Sequence, residues 1–431
     1  MPIAFATTYQ FLIIFAVAAI VTMAATPLAK VIALRTGAID YPSARRINRV
    51  PIPRMGGIGM LCGLLAAVVV QYFGTVFFGW PSAFIPHPSM EINYWGLAVG
   101  VAVIFLTGLI DDIVSLKPWQ KMLGQVIAGC IAAGSGLVIG HIVNPLGEGE
   151  LDLGLLAYPI TVVYLVAFAN IMNLIDGLDG LAAGISAIVS LSLFFITLSS
   201  GRIDAAALAI ATCGACVGFL RYNFHPASIF MGDSGALMLG FLLGTVSLLG
   251  VRRVAALTTL IVPLIIAGVP IIDTFAAIIR RKRGHIPFDH ADKGHIQHRL
   301  ISEGYDQRQA AILIYGWSAM LAVGAIVITK VNVLARIVIF LFLIGVSFVF
   351  VRKLHLFEPV LRHYYNPVTK TDDIRDVNDP CFAQPDTASE AGNDVENAGE
   401  RDDCGTQAPS DDDAQVPKGD AAGGRERDEH R

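Results

Sequence analysis

The sequence predicts an all-α, polytopic membrane bundle of about 11 transmembrane helices. Of its 431 residues, 54% are hydrophobic and 15% are charged, and the mean hydropathy is +0.61. Because soluble globular proteins carry about 25% charged residues, this composition disfavours a soluble enzyme and an extracellular disulfide scaffold. Eleven apolar runs are close to the roughly 20 residues that cross a bilayer. They cover residues 11–33, 56–79, 94–110, 122–143, 156–173, 181–199, 203–220, 234–250, 254–278, 311–329 and 332–351.

Basic residues fall mainly on one side of these predicted spans. Nineteen Lys and Arg lie in the odd-numbered loops and after the last span, against four in the even-numbered loops. Since basic loops stay in the cytoplasm, we predict that the N-terminus is outside and that the odd-numbered loops and the C-terminus are cytoplasmic.

The C-terminal part of the chain differs from the rest in charge. Residues 371–431 carry 18 acidic and 6 basic side chains, a formal net charge of −12, whereas residues 1–370 carry +8. With one aromatic residue, the acidic segment cannot bury enough surface to fold alone. We predict a membrane domain at 1–355, a juxtamembrane segment at 356–370 and an acidic disordered cytoplasmic tail at 371–431.

Carboxylates at the ends of the apolar runs give the main functional signal. An ionisable group inside a span costs about 2.5–3.5 kcal/mol, so it needs a function or a partner. Asp111 and Asp112 close the third span. Adjacent carboxylates repel, and a divalent cation such as Mg²⁺ or a basic substrate group would relieve that repulsion. The alternative is helix termination with an ion pair to Lys117 or Lys121.

A row of polar residues begins in the last turn of the fifth span and continues beyond its end. Asn170, Asn173, Asp176 and Asp179 recur every three residues, which would splay them by about 180° along one ideal helix. Glycines follow both Asp residues and predict that the helix ends there and that a tight turn re-aims the carboxylates. Amides can contact sugar or base edges, and carboxylates can bind metal or accept protons. Asp-Gly is also an ordinary loop signal.

Two more clusters complete the pattern. Asp233 and Ser234 open the eighth span, where they could also simply cap the helix. His295 and His298 lie three residues apart in a basic loop, a spacing that puts both on one helical face. With Arg299 beside them, this loop favours a phosphate over a metal cation. Contact with lipid headgroups is the alternative.

These residue types together predict phosphoryl transfer at the inner membrane surface. Such chemistry uses a metal to neutralise the transferring group and cationic side chains to stabilise the leaving phosphate. An ion-coupled transporter is the competing hypothesis. Transporter sites lie near the bilayer midplane, whereas the acids here lie at the cytoplasmic ends of the spans.

The clusters, in this order, resemble the polyprenyl-phosphate N-acetylhexosamine-1-phosphate transferases, of the glycosyltransferase 4 type. Those membrane enzymes move a sugar phosphate from a UDP-sugar to a lipid phosphate and release UMP. The resemblance runs from about Pro27 to Leu300. Its motifs are DYPSARR at 40–46, PIPRMGG at 51–57, the Asp pair at 111–112, NLIDGLDGLA at 173–182, FLRYNF at 219–224, FMGDSG at 230–235, the Pro and Asp at 270 and 273, and DKGHIQHRL at 292–300.

The last motif is most similar to the undecaprenyl-phosphate GlcNAc-1-phosphate transferases. The phospho-MurNAc-pentapeptide transferase branch, which shows three consecutive His there, is the alternative. Gln297 stands where the GlcNAc branch has His, and Asn48 stands where the first loop often has His. The family role of that middle His therefore does not carry over.

The resemblance implies a role for each cluster. Mg²⁺, or alternatively Mn²⁺, would be held by Asp233, Asp111 and Asp112. The catalytic carboxylates would be Asp111 and Asp112, which deprotonate or position the lipid phosphate, and Asp176 and Asp179. The substrate-binding side chains would be Asn170, Asn173, Arg46, His295, His298 and Arg299.

The same resemblance implies the partners and the location. We expect a UDP-N-acetylhexosamine, undecaprenyl phosphate and the lipid bilayer as partners, no nucleic acid, and a homodimer as an open alternative. The expected location is the bacterial plasma membrane, in a multi-pass protein whose active site faces the cytoplasm. The reaction would be the first membrane step of cell-envelope polysaccharide synthesis.

Overall fold

The computed structural model of the protein describes residues 2–42, 50–84, 92–143, 150–251, 258–284, 294–358, 361–366 and 371–376. The chain divides into two compact units, residues 1–374 and residues 375–431. Only positions 375 and 376 of the second unit are described, so the predicted acidic tail lies almost wholly outside the described residues.

Helices make up nearly all of the regular structure, which confirms the predicted all-α class. They are α1 (Pro2–Thr36), α2 (Gly57–Phe78), α3 (Tyr94–Val114), α4 (Pro118–Gly134), α5 (Ala157–Ile175), α6 (Leu181–Ser199), α7 (Ile203–Asn223), α8 (Gly232–Val251), α9 (Thr258–Ile266), α10 (Gly268–Gly284), α11 (Ile296–Ser302), α12 (Gln307–Ile328) and α13 (Val333–Lys353). A 3₁₀ turn at Gly154–Leu156 precedes α5.

The strands are short. They are β1 (Ile39–Asp40), β2 (Ile52–Pro53), β3 (His141–Val143), β4 (Glu150–Asp152), β5 (Leu361–Asn366) and β6 (Thr371–Asp376). β1 pairs antiparallel with β2, and β3 pairs antiparallel with β4.

Nine helices in the described part of the chain are long and apolar enough to cross a membrane. They are α1, α2, α3, α5 with its 3₁₀ turn, α6, α7, α8, α12 and α13. The two other predicted spans are interrupted. The span predicted at 122–143 is helical only to Gly134, where α4 ends after 17 residues. The span predicted at 254–278 divides into α9 and α10.

The break between α9 and α10 has a local cause. Pro270 lies in the first turn of α10 and has no N–H to donate to the carbonyl of Ile266. A continuous helix would need that hydrogen bond, so α9 ends at Ile266 and a new helix starts at Gly268. The apolar run predicted as the ninth span is therefore built from two helices, and its crossing of the membrane stays a prediction.

Helix α7 and helix α8 lie at the centre of the bundle. Of the residues in an 18-residue apolar stretch of each helix, 78% are buried in α7 and 89% in α8, whereas 11% are buried in α13. Glycines allow the tight packing: a Cβ on Gly218 would come within 2.2 Å of the carbonyl oxygen of Ala19 on α1. Small residues at such crossings let backbones approach closely, as membrane helices require. The first turn of the central helix α8 carries Asp233, which is half-buried.

Candidate active site

Asp112 caps the N-terminus of α8 from the neighbouring helix α3. Its side chain is buried, with 1% of its surface exposed. Its Oδ1 accepts the backbone N–H of Asp233 at 2.8 Å, and its Oδ2 accepts that of Ser234 at 3.0 Å. The first N–H groups of a helix lack intrahelical partners and favour a negative charge. Asp112 thus takes the capping role that the sequence left open for Asp233 and Ser234.

Two glycines make this approach possible. Gly232 has φ +73°, and a Cβ on it would lie 2.6 Å from Asp112 Oδ2. A Cβ on Gly108 would lie 2.4 Å from the carbonyl oxygen of Asp233. Any larger residue at Gly108 would separate α3 from α8, so the contact between Asp112 and the first turn of α8 depends on this glycine.

Lys121 joins two carboxylates at the same end of the bundle. Its Nζ lies 3.1 Å from Asp111 Oδ2 and also contacts Asp233 Oδ2. Asp111 Oδ1 accepts the backbone N–H of Leu116 at 2.6 Å. The adjacent acids Asp111 and Asp112 therefore have separate partners, and the ion pair to Lys121 that the sequence allowed is present.

The end of α5 and the turn after it agree with the sequence prediction. α5 ends at Ile175 and α6 begins at Leu181. Between them the chain turns through Gly180, whose φ is +76°. Desolvation by burial is the main cause that raises the pKa of Asp176 to about 7, and the negative charges of Asp233, Asp112 and Asp179 contribute to the same rise. Asp176 thus lies within the same group of carboxylates.

The two asparagines of the row have different partners. Asn173, with its amide oriented to satisfy both neighbours, donates to Asp233 Oδ1 at 2.8 Å and accepts from Lys121 Nζ at 3.2 Å. Asn170 lies one turn earlier on α5 and donates to Gln125 Oε1 at 2.5 Å. The structure therefore brings Asn173 into the carboxylate group, whereas Asn170 packs against α4.

Asp179 pairs with a residue that the sequence analysis missed. Its Oδ2 lies 2.8 Å from His225 Nδ1 and accepts the backbone N–H of Ala227 at 3.0 Å. His225 directly follows the FLRYNF motif at 219–224, and this position next to a family motif could have marked it as a site residue. The pair ties the turn after α5 to the loop between α7 and α8.

His295 is fixed by a buried aspartate on α10. Its Nδ1 lies 2.7 Å from Asp273 Oδ2, and Asp273 Oδ1 accepts the backbone N–H of Ile296 at 2.9 Å. Their exposed fractions are 7% for His295 and 1% for Asp273. His295 is the N-cap of α11, whereas His298 lies within it. The prediction that both histidines share one helical face is therefore wrong, because His295 turns inward to α10.

Helix α11 packs against the turn after α5. Gln297 is buried, with 1% of its surface exposed, and a Cβ on Gly177 would lie 2.8 Å from its Nε2. Among the described residues, its Oε1 has no hydrogen-bond partner. Arg299, on the same helix, donates from Nη2 to the carbonyl oxygen of Glu358 at 2.6 Å. Both His298 and Arg299 are half-buried.

The first loop reaches the same end of the bundle. Phe230 donates to the carbonyl oxygen of Pro53 at 2.8 Å, and Gly56 donates to that of Phe230 at 2.9 Å. These bonds hold Arg54 close to the end of α3, where its Nη2 lies 3.4 Å from Ser115 Oγ. Arg54 was not among the predicted site residues. Arg46, which was, lies outside the described residues.

The oxygen atoms around Lys121 are of the kind that binds a hard divalent cation. Within the described ranges, no three His, Cys, Asp or Glu side chains lie close enough together to hold a metal ion. Oxygens of Asp111, Asp233 and Asn173 instead meet at the ammonium group of Lys121. All of these donors are oxygens, the ligands that Mg²⁺ prefers. The metal-ligand role predicted for Asp112 stays a prediction, while both of its oxygens here accept backbone N–H groups.

Sequence comparisons relate the chain to known enzymes. The profile of glycosyl transferase family 4 matches residues 94–251. The chain is 34% identical to a probable undecaprenyl-phosphate N-acetylglucosaminyl 1-phosphate transferase of Bacillus subtilis over 361 residues, which cover 84% of the chain and 96% of the relative. It is 34% identical to the decaprenyl-phosphate N-acetylglucosaminephosphotransferase of Mycolicibacterium smegmatis over 330 residues, covering 72% of the chain and 79% of the relative.

A third relative has a different name. The chain is 32% identical to a phospho-N-acetylmuramoyl-pentapeptide-transferase of Moorella thermoacetica over 280 residues, covering 61% of the chain and 80% of the relative. The family profile extends from the start of α3 to the end of α8. It therefore includes every side chain that meets at Lys121.

Proposed function

Since the chain belongs to glycosyl transferase family 4, we propose that it transfers N-acetylhexosamine-1-phosphate from a UDP-sugar to undecaprenyl phosphate and releases UMP. GlcNAc-1-phosphate is the preferred group, because relatives from Bacillus and Mycolicibacterium are named for an N-acetylglucosaminyl transfer to a polyprenyl phosphate. The first of these relatives is covered over 96% of its length.

One geometric observation supports the proposal. Asp111, Asp233 and Asn173 meet at Lys121, at the bundle end to which the first loop brings Arg54. Phosphoryl transfer depends on charge stabilisation and positioning rather than on covalent chemistry by the protein. A group that combines carboxylates, an ammonium and an amide supplies both.

The proposed reaction assigns a task to each of these groups. Asp111 accepts the proton of the lipid phosphate or orients it. An oxygen of that phosphate forms a bond to the β-phosphorus of the donor, the bond from this phosphorus to the bridging oxygen breaks, and UMP leaves. Asp112 positions α8, and with it Asp233, through the two backbone hydrogen bonds. His295 and His298 at α11 contact the diphosphate or the sugar.

We include Mg²⁺ in the proposal, with Mn²⁺ as an alternative. Asp233 and Asp111 would hold it, with Asp176 and Asn173 beside them. The ion neutralises negative charge on the diphosphate when it is bound. The raised pKa of Asp176, caused by burial and by neighbouring carboxylates, supports a site where a further cation would be stabilised.

The location follows from the membrane helices and from the charge pattern. The chain is a multi-pass membrane protein, and its polyprenyl-phosphate relatives support a bacterial plasma membrane. We propose that the bundle end with Lys121 faces the cytoplasm, where the UDP-sugar is available. The reaction would begin a cell-envelope polysaccharide. The homodimer stays a prediction.

The second candidate is phospho-MurNAc-pentapeptide transfer. The similarity to the Moorella enzyme favours it, although that similarity covers 61% of the chain. The two candidates differ in the donor sugar and share the acceptor chemistry, so a donor comparison separates them.

The test uses the purified full-length protein with undecaprenyl phosphate and Mg²⁺. UDP-GlcNAc, UDP-GalNAc and UDP-MurNAc-pentapeptide are added separately, and UMP and the lipid product are measured. We expect UMP release with UDP-GlcNAc. Release with UDP-MurNAc-pentapeptide alone would favour the second candidate. Solute uptake into proteoliposomes, with no lipid product from any donor, would favour a transporter.

A further inference from the structure

Three arginines, two on α10 and one on α11, donate hydrogen bonds to backbone carbonyls of the segment that follows α13. Arg280 Nη1 donates to the carbonyl oxygen of Leu356 at 2.6 Å. Arg283 Nη1 donates to that of Phe357 at 3.3 Å, and Arg299 Nη2 donates to that of Glu358 at 2.6 Å. Three consecutive carbonyls thus accept from two helices, α10 and α11. We call residues 354–358 the exit segment.

The exit segment is anchored where it leaves α13. Leu354 donates its backbone N–H to the carbonyl oxygen of Phe350 at 3.0 Å, and Leu356 donates to that of Val351 at 3.1 Å. The side chain of Leu356 is fully buried, and Leu354 is 6% exposed. Phe350 stacks on Trp317 of α12, with ring centroids 5.0 Å apart. The carbonyls are therefore presented by a fixed turn.

Arg280 lies at the centre of this arrangement. Its side chain is 2% exposed, and a Cβ on Gly294 would come within 2.3 Å of its Nε. Arg280 follows Asp273 by seven residues, which is about two turns, so both point from the same face of α10. Asp273 holds His295 and the N–H of Ile296. The entry into α11 is thus held by Asp273 and packed by Arg280 on one helical face.

We infer that the exit segment is a brace that sets the placement of α11, and that Arg280 is the positioning residue that connects the two. The inference rests on the proposed function, in which His295 and His298 contact the donor. In this role Arg280 acts through α11 and not on the reacting groups. The guanidinium of Arg280 sets the distance between Gly294 and the exit segment. Arg299, which lies within α11, joins this helix to the same segment. A displacement of about 1 Å at a binding group can cost about a hundredfold in rate.

The test uses full-length variants in which Arg280 is replaced by Met or by Lys. We expect Arg280→Met to raise the KM for UDP-GlcNAc about tenfold or more, with the KM for undecaprenyl phosphate changed less than twofold. Arg280→Lys keeps one donor for the carbonyl of Leu356 and should recover part of the loss. Gly294→Ala tests the α11 side, because its Cβ would meet the Arg280 side chain without removing a charge.

Lys282→Met is the matched control. Lys282 is exposed on the same helix, and its replacement removes the same charge. It should leave both KM values within twofold of the wild type. An unchanged donor KM in Arg280→Met would overturn the inference. An equal change of both KM values, with a lowered melting temperature, would also overturn it, because the role would then be general stability.

A second readout separates this inference from the proposed function. Hydrogen exchange of the amides of residues 296–302 is measured in the wild type, Arg280→Met and Lys282→Met without substrates. We expect faster exchange in Arg280→Met alone. If no donor is turned over by the wild type, the proposed function fails, and faster exchange still supports the brace. Unchanged exchange in Arg280→Met would contradict the brace whatever the reaction is.

Discussion

The carboxylate of Asp112 accepts the backbone N–H of Asp233 at 2.8 Å, which joins two acids that lie 121 residues apart in the sequence. Asp112 lies near the end of α3 and Asp233 lies in the first turn of α8, so the bond fixes the end of α3 to the start of α8. Asp233 therefore reaches Lys121 and Asn173 because Asp112 holds its backbone. The site depends on this pair before any substrate is bound.

Replacing Asp112 by Asn should weaken both the fold and the activity. The amide can accept only one of the two N–H groups, and its own N–H₂ would face the other. We expect a loss of about 1–3 kcal/mol in the free energy of unfolding, and UMP release reduced by at least about tenfold. Membrane insertion should be unaffected. A melting temperature and a rate equal to the wild type would argue against the cap.

Replacing Lys121 by Met should lower the Mg²⁺ concentration that gives half-maximal activity. The ammonium contacts the same carboxylates that we propose as ligands, so its removal strengthens their attraction for a cation. We expect a shift of about fivefold or more, together with a lower kcat. Lys117→Met, at an exposed position four residues earlier, is the control and should not shift it. An unchanged Mg²⁺ dependence in Lys121→Met would indicate that the metal does not bind at this cluster.

Replacing Gly108 by Ala should separate α3 from α8. The new Cβ would lie 2.4 Å from the carbonyl oxygen of Asp233, which is backbone and cannot move aside cheaply. Overpacking of this kind costs about 1–3 kcal/mol, measured as a lower melting temperature in detergent. Gly345→Ala on α13 is the control, because nothing lies within 4 Å of its Cβ position. Equal melting temperatures for the two variants would contradict the close crossing.

Asp179 and His225 should behave as one unit. In a double-mutant cycle with Asp179→Asn and His225→Ala, measured as kcat/KM for the donor, we expect a coupling energy of about 1 kcal/mol or more. The reason is the 2.8 Å contact between the carboxylate and Nδ1. Strictly additive losses would mean that Asp179 acts on the substrate independently of His225.

Local patterns in the sequence predicted local features of the site. The glycines after Asp176 and Asp179 predicted the end of α5 and the turn that follows. The spacing of Lys121 from Asp111 allowed their ion pair. Each of these depends on residues within about ten positions of one another, where backbone geometry limits the outcomes.

Contacts between distant segments could not be predicted in the same way. The cap from Asp112 to α8 requires the crossing at Gly108, and glycine spacing alone does not name the partner helix. His295 looked like one of a helical pair, yet the buried carboxylate of Asp273 draws it to α10. Arg299 looked like a phosphate ligand, and its Nη2 binds the carbonyl of Glu358. These outcomes depend on packing that no single segment encodes.

The most direct test of the central claim compares two substitutions of one carboxylate by an amide. Asp233→Asn removes the charge that meets Lys121, whereas Asp152→Asn makes the same change at an exposed position in β4. UMP release from UDP-GlcNAc with undecaprenyl phosphate and Mg²⁺ is measured for both. We predict a loss of about a hundredfold or more for Asp233→Asn, and a wild-type rate for Asp152→Asn. Turnover by Asp233→Asn within threefold of the wild type would contradict an active centre at this carboxylate.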